Sequence, residues 1–385
     1  MLRSLTGNRD ADVRAEARFR LGNLRQNLGD LAGAAQAYRD LLDEKPDATP
    51  VRLELARVLS RMGQEDAASS QLRRASSAGL PDDVARIVDQ FQSSLRSRRR
   101  LGGSIEIGLS PDSNINRANG NDTIDVGSTP FDLSRDAQAQ SGLGATIAAQ
   151  QYWRPAITAN TNLLVMMNGS ANLYRRSRFN DLGLSLSAGP ELLRGSSRFR
   201  PAANLGRRWF GGKHYSDSYG VSLNWLRPLN RVSQIQLDLA LQQTGFRINP
   251  AMTGRATSAV VRYERALSPR LFGRLSSRID RQAARDPAFA TWSAGGELLL
   301  SRDVGRQTVY GRGNYTRVRG GAPFSFPPAR RNDRLVDVEV GVIVRNLSYW
   351  GLAPVVRVRH TDNHSPVFFY DFKRSSVAFG LTREF

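Results

Sequence analysis

Apolar and polar positions follow two different periods in this chain, and the change falls near residue 101. Before it, apolar residues recur at spacings of three and four. "AEARFRLGNLRQNLGDLAGAAQAYRDLLDEKPD" breaks at Gly29-Asp30 and Pro46-Asp47 and predicts a helical hairpin. "VRLELARVLSRMGQEDAASSQLRRASSAGLP" predicts a second hairpin, and "DDVARIVDQFQSSLRSRRR" a further helix ending in a basic cluster. After "RSRRRLGG" the period becomes two. "IQLDLALQQ" places Ile235, Leu237, Leu239 and Leu241 on one face against Gln236, Asp238, Ala240 and Gln242. "RLVDVEVGVIVR" does the same with Val336, Val338, Val340, Val342 and Val344. About fourteen such segments fill residues 102–385, roughly one per 20 residues, the density of an even-stranded membrane barrel.

The connections alternate in length. Short turns are "YWRPA", "LRPLNR", "LSPR", "RDVGR" and "NLSYWG"; long loops are expected at 111–138, 168–178, 209–217, 244–255, 281–290, 317–331 and 362–372. Short turns on one side and long loops on the other are the outer-membrane pattern, whereas a soluble sandwich turns every 8–12 residues or so. Trp153, Trp225, Tyr349 and Trp350 gather on the turn side, and Trp209, Phe210, Phe324, Phe326 and Phe368 on the loop side. They are expected to form two interfacial girdles. The closing "SSVAFGLTREF" alternates through Val377, Phe379 and Leu381 and ends on Phe385. Chain ends fray unless paired, so this strand is expected to close against "GSIEIGL", because lipid tolerates no open edge.

Composition agrees. With 40% hydrophobic residues and a mean hydropathy of −0.42, no stretch approaches the roughly 20 apolar residues of a spanning helix, but alternating barrel strands average out as polar. Cysteine is absent, which excludes a disulfide framework and a thiolate metal site. The net charge of +20 is nearly all arginine, with lysine only at Lys45, Lys213 and Lys373. Residues 1–100 hold 18 basic and 14 acidic groups, a net of +4, which leaves +16 for the strand-rich part. There arginines alternate with apolar residues and form no basic helix or tail, which argues against nucleic acid as a partner. "MLRSLTGNRDADVR" carries no secretory leader, so a mature or trimmed form, or a start further upstream, is expected of an exported barrel.

The helical part resembles tetratricopeptide repeats: Gly22, Ala34, Tyr38 and Pro46 fall at motif positions, and a shift of 34 residues lands on Ala56, Ala68, Leu72 and Leu80. A plain helical hairpin is the alternative. This module, "LSPDSNINRA" after the first strand, and the closing "LAPVVRVRHTDNHSPVFFYDFKRSSVAFGLTREF" together resemble the surface lipoprotein assembly modulator (Slam) family. Its most specific pieces are Pro111-Asp112-Ser113-Asn114-Ile115-Asn116 and Asn363, Ser365, Tyr370, Arg374 and Phe385. The resemblance implies a 14-stranded outer-membrane barrel with a periplasmic helical domain, moving specific lipidated or soluble proteins to the cell surface. The helical module is shorter here than is typical of that family. The terminal aromatic ladder, Val377, Phe379, Leu381 and Phe385, resembles the signal read by the outer-membrane assembly machinery.

Candidate chemistry is sparse. Pro111, Asp112, Asn114 and Asn116 form the densest polar motif; its oxygens suit either a hard cation or, as favoured here, turn capping at the barrel seam, where they also bear on a lateral opening. Arg262, Glu264, Arg274, Arg278, Asp280, Glu297, Arg312, Asp337, Glu339, Arg357 and Arg359 fall on the inward parity, either as a stiffening network or as a hydrated basic conduit. Of the three histidines, His214 lies near Asp217 and several serines, but no nucleophile motif surrounds it. No phosphate loop or metal-ligand spacing is present.

The expected protein is therefore an α + β multidomain chain. A tetratricopeptide-repeat-like periplasmic domain (1–100) precedes a 14-stranded antiparallel transmembrane β-barrel (101–385). The expected function is export of a secreted or lipidated partner, without cofactor or catalysis. Outer-membrane lipid, the barrel assembly machinery and periplasmic chaperones are the other expected partners. A selective porin with a helical docking domain is the alternative.

Overall fold

A computed structural model describes residues 2–76, 100–126, 129–135, 137–305, 307–326, 328–344 and 352–384. The expected helix after Pro81, Leu80, Tyr349, Trp350 and Phe385 lie outside the described residues. Helices α1 (Leu2–Leu5), α2 (Ala11–Asn27), α3 (Leu31–Glu44), α4 (Thr49–Arg61) and α5 (Glu65–Ser76) come first. Asp10 caps α2 by accepting from the backbone of Asp12 and Val13, and Asp30 caps α3 through Gly33 N at 2.9 Å. The α2–α3 and α4–α5 hairpins share one core containing Ala34, Tyr38, Leu55, Ala56, Ala68 and Leu72. Small side chains at Ala34, Ala56 and Ala68, all fully buried, let the helices approach closely. Pro46 sits half-buried in the turn before α4.

Gly22 and Tyr38 form one contact. A Cβ on Gly22 would stand 2.4 Å from the Tyr38 ring. The ring is wholly enclosed, and its hydroxyl donates to Asn23 Oδ1 at 2.6 Å and lies 3.1 Å from Gln26 Oε1. Burial pushes the phenol up to about 12. Glu44 behaves differently: burial would raise its pKa, but Arg18 and Arg14 bind the carboxylate and bring it below its usual value.

The strands then run in chain order. They are β1 (Leu101–Asp112), β2 (Thr123–Val126), β3 (Thr129–Asp132), β4 (Gly142–Trp153), β5 (Ala156–Thr158), β6 (Thr161–Tyr174), β7 (Asp181–Arg194), β8 (Ser197–Phe210) and β9 (Lys213–Pro228). β10 (Ser233–Phe246), β11 (Gly254–Ala266), β12 (Leu271–Gln282), β13 (Thr291–Val304), β14 (Gln307–Pro323), β15 (Arg330–Val344), β16 (Ala353–His364) and β17 (Phe372–Glu384) follow. β1, β4 and β6 to β17 pair antiparallel with their neighbours, and β17 pairs back onto β1, closing a 14-stranded barrel. β2 and β3 form a hairpin inside the first long loop, and β5 folds onto the start of β6.

Closure turns the alternation into two surfaces. Leu275, Ile279, Leu298, Val338, Val340 and Phe379 stand exposed on the outside, a contiguous apolar belt of the size that marks a membrane surface. Their neighbours in sequence face inward.

Two expectations need correction. Most predicted long loops begin inside strands, because the strands run past the apolar ladders by several residues. The loop expected at 209–217 is a two-residue hairpin turn. Gly211 and Gly212 both take positive φ, 59° and 75°, the conformation of a tight primed turn. Phe324 is not a lipid-facing girdle residue. It is 8% exposed, in a cluster with Ala288 and Val367, edge-on to Phe289 and Phe369 at 5.1 Å. The loops fold over and bury it, whereas Phe326 remains exposed.

Replacing Gly22 with Leu overfills the α2–α3 contact. The expected cost is about 1–3 kcal/mol, read as faster tryptic cleavage within residues 2–76 of the full-length protein while the barrel stays folded.

Candidate functional site

The inward face carries the expected charges, and each predicted arginine meets an acid. Arg274 donates to Glu264 at 2.7 Å, Arg278 to Asp280 at 2.7 Å, and Arg262 pairs with Asp238. Arg312 lies 3.0 Å from Glu339, 3.4 Å from Asp337 and 3.8 Å from Glu297. Asp337 also accepts from Arg359 at 2.7 Å and Thr361 at 2.6 Å, and Glu339 from the Tyr310 hydroxyl at 3.0 Å. Arg357 reaches over β17 to Glu106 on β1 at 2.6 Å. Most of these pairs join different strands, so the network braces the wall.

At the short-turn end the lumen is covered. Helix α5 lies over the mouth, and its Ser70, Arg73 and Arg74 border a cavity of about 800 Å³ that Gln234, Glu264 and Arg274 line from the barrel. Arg73 lies 3.7 Å from Glu264 and donates to Gln234 Oε1 at 3.2 Å, while Arg74 pairs with Asp303 near the end of β13. A second tie joins Arg270, in the β11–β12 turn, to the Asp43 carbonyl at 3.4 Å. Both α5 arginines are buried. A buried charge needs an opposite charge nearby, and both arginines find one on the barrel, so the helix is docked in the mouth.

At the long-loop end, the residues of "SPDSNIN" bind first strand to last. Pro111, on β1, has no N–H, and the β1–β17 ladder breaks there, running from Ser104↔Glu384 to Leu109↔Phe379 and resuming at Asp112↔Ser376. The motif carries the seam on past the break, where Ser113 N donates to Ser375 O at 2.9 Å. Asp112 accepts from Asn114 N at 2.9 Å and from Arg374 Nε at 2.8 Å. Asn114 donates to the carbonyls of Ala118 (2.8 Å) and Lys373 (2.9 Å) and accepts from Ala118 N (3.0 Å). Asn116 donates to Gln138 O at 2.7 Å and accepts from Gln140 N at 3.0 Å. The oxygens proposed for a hard cation thus already receive protein donors, with the Arg374 guanidinium at the acid. Next to this clasp, Ser365 donates to the fully buried Asp333 at 2.6 Å, and Arg331 stacks 3.6 Å over Tyr370. Val377, Phe379 and Leu381 lie on β17, with Phe379 and Leu381 exposed on the outer face.

The sequence profile of the surface lipoprotein assembly modifier family matches residues 103–385, and a tetratricopeptide-repeat profile matches 28–87. The chain belongs to the surface lipoprotein assembly modifier family. Among relatives, surface lipoprotein assembly modifier 1 of Haemophilus influenzae is 24% identical over 92% of this chain and 75% of its own length. The hemophilin secretion modulator of Acinetobacter baumannii is 21% identical over 97% and 79%. A Pasteurella multocida surface lipoprotein assembly modifier is 23% identical over 54% of this chain, and the match spans 43% of that relative. Among solved structures, the outer membrane channel DcaP of A. baumannii aligns with 74% of this chain and 96% of its own at TM-score 0.42 and 7% identity.

The chain's histidines lack a nucleophilic arrangement among the described residues. His214 faces Asp217 at 3.0 Å, which Arg207 and Arg247 also hold. His360 meets the Ser375 hydroxyl at 2.8 Å without an orienting acid. Several participants were missed from sequence: Arg73 and Arg74 in α5, Asp303, and the lumen acids Glu106, Asp238 and Glu191, the last fully buried and accepting from Asn162 at 2.9 Å. Inward parity marks the three lumen acids, but nothing local marks a helix that docks into a barrel 161 residues away.

Two outcomes follow. Arg74→Glu should convert a quiet channel into a conducting one in planar bilayers, and adding Asp303→Arg should silence it again. Arg374→Ala leaves Asp112 buried without its cation, at a cost of about 3–5 kcal/mol, seen as a lower temperature for loss of the compact barrel band on unboiled gels.

Proposed function

We propose that this protein is an outer-membrane translocator that delivers specific partner proteins, surface lipoproteins or related secreted proteins, to the cell surface. The observation that carries the reading is the docked α5. A barrel whose turn-side mouth is covered by its own helical module suits regulated passage of a protein better than steady solute flux. The relatives' names support it, since they refer to surface lipoprotein assembly and to hemophilin secretion. In this reading residues 1–100 form a periplasmic domain that engages substrate, and residues 101–385 form the barrel that passes it on. The hydrated, charge-paired wall offers apolar segments of a moving chain nothing to hold. No cofactor or catalysis is required. The periplasm has no ATP, so substrate folding or capture outside supplies the drive. Chaperones would hand over the substrate, and the barrel assembly machinery would insert the protein through its terminal ladder. In this reading, any lateral opening at the seam has to part Asp112 from Arg374.

The test is a surface and secreted proteome of the native bacterium with and without the gene. Complementation uses the full protein or an exported form lacking residues 1–100. One or two surface proteins should vanish and return only with the full protein. An unchanged proteome with reduced small-solute uptake identifies a selective porin instead.

A further inference from the structure

The outward face holds a feature that neither transport nor closure uses. Near the long-loop end of β11 to β15, one step beyond the apolar belt, stand Arg255, Arg281, Arg317, Arg319 and Arg334, with Trp292 among them. Register aligns them: Arg281 pairs with Trp292, Trp292 with Arg319, and Arg317 with Arg334, while Arg255 lies diagonally beside Arg281 through Thr257. All share the parity of exposed apolar residues on their own strands: Val261, Ile279, Leu298, Tyr315 and Val336. Arg255, Arg281, Arg319 and Arg334 are exposed, and Trp292 is 43% exposed. Arg317 donates to Asn332 Oδ1 at 3.0 Å, and none of the five makes an ion pair among the described residues.

This differs from the lumen. In the lumen each arginine considered above has its carboxylate; on this outer row five have none, although like charges directly opposite, as at Arg317 and Arg334, repel. Strands lie roughly 5 Å apart, so the row runs for about 20 Å along the level where the hydrocarbon ends and headgroups begin. An exposed tryptophan belongs at that level, and arginine stems extend from apolar surface to place guanidinium groups among headgroups. Guanidinium binds phosphate in a bidentate fork.

We propose that this row is a binding site for the phosphate groups of an anionic glycolipid in the outer leaflet. The site orients the barrel and fixes its height beside that leaflet. Lipid phosphates supply the negative charge that the protein withholds from this face. The proposal rests on the orientation given above, which protease shaving of the loops on intact cells checks separately.

Native mass spectrometry of the full-length protein, released from detergent, tests it with three probes: bis-phosphorylated lipid A, the same lipid with both phosphates removed, and inorganic phosphate. The phosphorylated lipid should bind, and the dephosphorylated one should bind at least tenfold more weakly. The triple variant Arg255→Gln/Arg281→Gln/Arg319→Gln should lose on the order of 100-fold in affinity. The matching triple Lys variant, which keeps the charge and reports on folding, should stay within about tenfold of wild type. Equal binding of the two lipids, or an unchanged Gln variant, overturns the proposal. Displacement of the lipid by millimolar inorganic phosphate also overturns it, in favour of a free-anion site.

Discussion

A bilayer interior offers no partner to an unpaired backbone amide, and that constraint organises the molecule. Fourteen strands can cross only if the last finds the first, so pairing between β1 and β17 is the contact on which the barrel depends. It is also where the ladder is locally weakest, since Pro111 cannot donate. Just beyond that point the backbone pairing resumes, and side chains from "SPDSNIN" with Arg374 reinforce it, clasping the loop end of the seam. The motif that looks most like a ligand site thus serves the same requirement as the strands.

Once closed, the wall separates two electrostatic regimes. Inside, charges are numerous and paired across strands, because a narrow polar lumen lined with low-dielectric protein penalises any charge left alone. Outside, apolar residues fill the belt, and the row of unpaired arginines stands where the belt gives way to headgroups. The helical module answers to both regimes. Its own core is a conventional helical stack, whereas its last described helix trades exposure of Arg73 and Arg74 for acids on the barrel rim. The two units are thereby coupled: whatever displaces α5 must also separate those pairs.

Much was legible in the order of residues. Period-two alternation, the shift from period 3.6 to period 2 near residue 101, the small residues at repeat positions and the terminal ladder were enough for a helical module, a closed barrel of 14 strands, and the inward parity of Arg274, Arg312 and Asp337. These features are local or strictly periodic, and lipid converts periodicity directly into an inside and an outside. Loop lengths were less legible. Strands continued beyond the apolar ladders as polar rims, and Gly211-Gly212 made a tight turn within a presumed loop. Phe324 read as a girdle residue because its sequence position gives only height along the barrel. Whether it faces lipid or neighbouring loops depends on how three separate loops fold together.

Sequence by itself determined the architecture, since alternation and closure leave one economical solution. The partners were decided by tertiary structure: Arg74 with Asp303, Asn114 with Lys373, and an unpaired arginine row outside a lumen whose predicted arginines each meet an acid. Such pairings join residues far apart in the chain, and only the register of a closed sheet brings them to one place.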